Sequence, residues 1–107
     1  MATFEFTVNK SFLGEVCHPI TIPKSQLSYE MLEAIGLDYK NVIVVLPRGE
    51  RFEAKIGHGE AGFGEYFQLQ FTGKDRTLPA YLTLNDHLIV LLVKAASRSY
   101  AILEYRE

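Results

Sequence analysis

Arg51-Phe52-Glu53-Ala54-Lys55-Ile56 and Tyr66-Phe67-Gln68-Leu69-Gln70-Phe71 alternate polar and apolar side chains one for one. Between them stands the glycine-rich Gly57-His58-Gly59-Glu60-Ala61-Gly62. A period of two marks a strand with one face buried and one solvated, and two such runs joined through glycines make a β-hairpin. If Phe52, Ala54 and Ile56 turn inward, Phe67, Leu69 and Phe71 do the same on the partner strand. Arg51, Glu53, Lys55, Tyr66, Gln68 and Gln70 then share the outward face. The glycine stretch is expected to be a mobile hairpin tip.

The same period recurs on both sides of the hairpin. Phe4, Phe6 and Val8 alternate with Glu5 and Thr7, predicting a strand over residues 3–8. Ile20-Thr21-Ile22 begins a second strand, which Pro23 ends. Residues 42–46 form a third before the turn at Pro47-Arg48-Gly49, and residues 88–93 and 100–105 supply the last two. One stretch is helical. Leu27, Met31 and Ile35 stand four apart, Ser28 is placed to cap the first turn, and Gly36 can take the left-handed conformation that ends a helix. Leu27 and Leu32 occupy the positions of a hydrophobic staple, so a helix over 29–35 is expected. Residues 78–82 are compatible with one more helical turn. This inventory is mainly β, a small seven-stranded open barrel with one or two short helices.

The chain has 107 residues, the size of one domain, and 48% of them are hydrophobic, including 7 Phe and 6 Tyr, enough for a core. Its single cysteine, Cys17, excludes an intramolecular disulfide and fits a reducing cytoplasm or nucleus. Lys and Arg number 11 against 13 Asp and Glu, a formal charge of −2, so any nucleic-acid contact has to be local. The longest apolar runs, 42–46 and 88–93, fall far short of the roughly 20 residues a membrane helix needs, and no membrane partner is expected. The first residues lack the charged start and long apolar core of a signal peptide.

Gly57-His58-Gly59-Glu60-Ala61-Gly62 satisfies the dinucleotide pattern G-x-G-x-x-G letter by letter. That fingerprint needs a following helix whose N-terminus holds a pyrophosphate, whereas residues 66–71 alternate as a strand. Cys17 beside His18, and Asp86 beside His87, are the only nucleophile or acid neighbours of a histidine; adjacent residues on an extended chain point to opposite faces, so neither pair is a catalytic dyad. The three histidines and the cysteine lack metal-ligand spacing. No catalytic residue, cofactor or metal is therefore expected. The outward face of the hairpin carries more chemistry. Arginine and lysine hold phosphate or guanine, glutamine bonds adenine bidentately, and tyrosine donates to phosphate.

Ile20-Thr21-Ile22-Pro23-Lys24, a short helix ending in Ala34-Ile35-Gly36-Leu37, and Leu82-Thr83-Leu84-Asn85-Asp86-His87-Leu88-Ile89-Val90 together resemble the DNA-binding pseudobarrel shared by plant auxin-response-type transcription factors and restriction-endonuclease recognition domains. That family places Ile-Pro-Lys after its first loop and Leu-x-x-Gly-Asp before a late strand; Asn85-Asp86 stands here for the Gly-Asp. The resemblance implies a module without chemistry of its own that grips the major groove of double-stranded DNA with two arms, fused to or associated with a nuclease or regulator domain. The first arm maps onto residues 9–19, with Lys10, Ser11 and His18 as contacts and Lys24 close by. The second maps onto the hairpin, with Lys55, His58, Gln68 and Gln70, and Arg51, Tyr66 and Arg76 add further contacts. Glu15 and Glu60 depart from a basic pattern at the arm tips. The front half also resembles the swapped-hairpin transition-state regulators and antitoxins, which are about half this length. A small barrel that binds protein or a ligand is the alternative from a different class.

Overall fold

Each alternating run forms all or most of a strand in the computed structural model, which describes residues 2–10, 20–23, 26, 28–62, 64–71 and 81–106. In chain order the elements are β1 (Ala2–Thr7), β2 (Ile20–Pro23), α1 (Tyr29–Ile35), β3 (Val42–Val45), β4 (Arg51–Ala61), β5 (Gly64–Phe71), β6 (His87–Ala95) and β7 (Arg98–Tyr105). All seven strands belong to one sheet in the order β1-β6-β7-β3-β4-β5-β2. Neighbours pair antiparallel except β3 and β7, which run parallel. The fold is mainly β, with 58% of residues in strands, and the sheet curls into a nearly closed barrel with one seam. The seam lies between the edge strands β1 and β2. One helix is present among the described residues; the turn expected over 78–82 falls mostly outside them.

Inward positions fill the barrel. Phe67, Leu69, Ile20, Ile22, Leu88, Leu92 and Leu103 are all buried, and Val42, Val44 and Ala101 complete the layer beneath β3 and β7. The parity expected for the hairpin holds. Ala54, Phe67 and Leu69 are buried, and Phe52, Ile56 and Phe71 pack partly buried against the same cluster.

The helix has the expected bounds because both caps are chemically explicit. Ser28 Oγ accepts from the Met31 N–H at 3.3 Å, and Gly36, at φ 75°, donates its N–H to the carbonyls of Leu32 and Glu33. Its buried face differs from the expected one. Leu32 is fully buried and Ile35 packs against the core, while Met31 is 40% exposed. Two turns present only a narrow stripe to the barrel end, and Leu32 with Ile35 takes it. Leu27 lies outside the described residues.

The glycine-rich stretch corrects the sequence expectation of a tip. β4 continues through Gly57, His58, Gly59 and Glu60 to Ala61, and Ala61 pairs with Gly64, so residues 57–60 are strand and not turn. Neither Gly57 nor Gly59 has a positive φ; both are extended. Their glycine character is steric. A Cβ at Gly57 would stand 2.7 Å from Gln70 Nε2, and one at Gly59 would stand 2.7 Å from the Tyr66 hydroxyl. The bare strand makes room for side chains that lie across it from β5.

Candidate nucleic-acid interface

β4 and β5 pair Lys55 with Gln70, Gly57 with Gln68 and Gly59 with Tyr66, which sets these residues on the face pointing away from the core. Arg51 and Glu53 continue the same face along β4, and all three charged side chains on it are exposed. β2 extends the face on the other side, where exposed Thr21 stands opposite Gln68. Five of the expected contacts, Arg51, Lys55, Tyr66, Gln68 and Gln70, thus come together on one surface.

Within it the two glutamines are organised. Gln70 Nε2 donates to Gln68 Oε1 at 2.9 Å, and the Gln70 amide rests against the bare backbone of Gly57. That bond leaves the Gln68 amino group as a donor and the Gln70 carbonyl oxygen as an acceptor at the same surface. Tyr66 lies over Gly59 in the same manner, its ring covering backbone that would otherwise face water. Glu53 stands between Arg51 and Lys55 along the strand, so the face carries little net charge and does not act as a general phosphate sink.

The other expected contacts are not gathered there. His58 follows the parity of Ile56 and falls on the opposite side of the ribbon, its ring 5.6 Å from that of Phe67 at a tilt of 53°. Lys10 is exposed in the turn after β1. The backbone there is tied to the start of β6 by Val8 N–H to Asp86 O at 3.0 Å and Asn85 N–H to Val8 O at 2.8 Å. β1 runs antiparallel to β4 through the intervening pairings, so Lys10 sits at the barrel end remote from the β4–β5 turn. Ser11, His18, Lys24 and Arg76 lie outside the described residues, as does nearly all of the first arm.

Thr21 was not singled out by the sequence, because nothing local shows that β2 will pair with β5, nearly half the chain away. The composition around Gly57 and Gly59 suggests a turn, which they do not form. Their usable signal is that both occupy outward positions facing long polar side chains.

No protein-family model matches the chain, and no curated protein matches its sequence. The motifs have local structural roles. Asn85 holds φ 71°, a left-handed conformation that asparagine tolerates better than most residues with a side chain. Asp86 Oδ2 accepts the Thr83 N–H at 2.9 Å and closes that turn. His87 points elsewhere, its Nδ1 3.2 Å from Thr7 Oγ1, so Asp86 and His87 are engaged separately. Among the described residues no helix is long and apolar enough to cross a membrane.

Proposed function

We propose that the chain binds double-stranded DNA sequence-selectively through the outward face of β4 and β5, as a recognition module with no chemistry of its own. The observation that carries this is the glutamine pair over Gly57. Adenine offers the major groove an N7 acceptor and an N6 donor, and the paired amides offer one donor and one acceptor in return. Their mutual hydrogen bond fixes both side chains before binding, which lowers the entropy lost on contact. Arg51 and Lys55 hold phosphates beside them and Tyr66 adds a hydroxyl at the hairpin end. With Glu53 between the cations, selectivity rests on the amides more than on charge.

Binding to a randomised DNA pool, followed by titration of the selected site and of unrelated duplex, tests this. Gln68→Ala or Gln70→Ala is expected to remove about 1–3 kcal/mol of discrimination, roughly 5- to 150-fold, while leaving non-specific binding almost unchanged. Lys55→Ala is expected to weaken both and to flatten the log–log salt dependence by about one. A pool that yields no preferred site, or glutamine variants that leave the preference intact, would overturn the proposal in favour of a barrel that binds protein or a ligand.

A further inference from the structure

The polar face ends at β4. On the next three strands the outward positions are Ile43 and Val45 of β3, Tyr100 and Ile102 of β7, and Ile89, Leu91 and Val93 of β6, every one of them half-buried. Register joins them into two rows, Val93–Tyr100–Ile43 and Leu91–Ile102–Val45. The inward positions of the same strands already form the core, so β3 and the middle of β6 are apolar on both faces. Antiparallel strands with a solvated face alternate, and strands that are apolar throughout belong where both faces are covered. This outer wall has the composition of a covered surface.

We propose that a second copy of this chain covers it. The occupant is argued from charge. Along β7 the outward row reads Arg98, Tyr100, Ile102, Glu104, an exposed cation at one end, an exposed anion at the other, and apolar side chains between. A two-fold axis lying in the interface and crossing β7 at right angles at Ala101 sets Arg98 against Glu104 of the second copy at both ends, and Tyr100 against Ile102. The row is complementary to its own inversion, which is what an isologous contact requires. The apolar wall is three strands wide. With strands about 4.8 Å apart and about 3.4 Å per residue, β6, β7 and β3 along the length of β6 cover roughly 440 Å², about half of the ~800 Å² per partner of a standard interface, so the contact is expected to be a weak one. The small formal charge of −2 opposes association little. None of the residues in the glutamine face takes part, so this inference stands or falls apart from DNA binding.

Sedimentation equilibrium of the full chain, without DNA, provides the test. The mass is expected to rise with concentration from 12.1 kDa towards twice that value. Arg98→Glu and Glu104→Arg, both at exposed positions that do not hold the fold, are each expected to raise the dissociation constant by about tenfold or more, and the double reversal to bring it back to within about threefold of the parent. Circular dichroism checks that each variant remains folded. A chain that stays monomeric up to about 1 mM, a dimer indifferent to either single reversal, or a double reversal weaker than both singles would overturn the proposal.

Discussion

Gly57→Ala and Gly59→Ala are the same chemical change at two positions of the same face, yet their consequences are expected to differ. At Gly57 the new Cβ would meet Gln70 Nε2 at 2.7 Å and Cδ at 3.0 Å. Carbon contacts open at about 3.5–4.0 Å, so the amide must retreat by about 1 Å. It is the free end of a flexible side chain and can do so, at the loss of its bond to Gln68, about 0.5–1.5 kcal/mol. Alanine in place of glycine returns about 0.4–1 kcal/mol by reducing the freedom of the unfolded chain. The net change in stability is within about 1 kcal/mol of zero. At Gly59 the Cβ would meet the Tyr66 hydroxyl at 2.7 Å, Cζ at 2.8 Å and Cε2 at 3.1 Å. A ring contacted along its edge moves only as a whole, and such overpacking costs about 1–3 kcal/mol. Urea denaturation at constant slope measures both. A Gly57→Ala loss above about 2 kcal/mol, or a Gly59→Ala variant as stable as the parent, would refute the claim that these glycines exist to seat Gln70 and Tyr66.

Ala96 holds φ 54° in the two-residue turn between β6 and β7, a conformation costing a non-glycine residue about 1–2 kcal/mol, so Ala96→Gly is expected to stabilise the fold by about 0.5–1 kcal/mol after the entropy cost of glycine, read as a rise of a few degrees in Tm. Asp38 is held below the ordinary carboxyl value of 3.8 by the hydrogen bond from the Asn41 side chain and then by that from the Lys40 N–H. Its folded value is depressed, so its stabilisation is complete above the ordinary value and is lost as pH falls through the lowered one; Asp38→Asn is expected to flatten the acid limb of the stability profile, measured as urea midpoints from about pH 6 to about pH 2.

The sequence made the core legible because burial imposes a period that survives without tertiary information. Phe67 and Leu69 are inward for the same reason that Gln68 and Gln70 are outward, and one hairpin register settles both. The helix was legible because Ser28 and Gly36 satisfy backbone groups within their own turn. What was lost lies in relations between strands. Gly57 and Gly59 look like a turn from their own composition, and only the side chains of Gln70 and Tyr66 show that they are strand. The glycines on either side of His58 interrupt the pattern and hide its parity, which, carried through from Ile56, places it on the side away from the glutamines. The apolar runs 42–46 and 88–93 read as strands, and their failure to alternate also carries the information that their outer face is apolar.

The two proposals together constrain the target. The sheet curls into a nearly closed barrel, and β5 stands three strands from β7 in an order of seven. A two-fold axis across β7 sets the outer wall of one copy on that of the other and leaves the two glutamine faces on the far sides of the dimer, turned away from each other. One straight duplex does not reach both. The selected pool is therefore expected to contain single asymmetric sites, and Arg98→Glu, which leaves each glutamine face intact, is expected to select the same site with the same affinity. Inverted repeats spaced by about one helical turn are what two faces related by a dyad on one duplex would select, and finding them would show that the axis does not lie across β7.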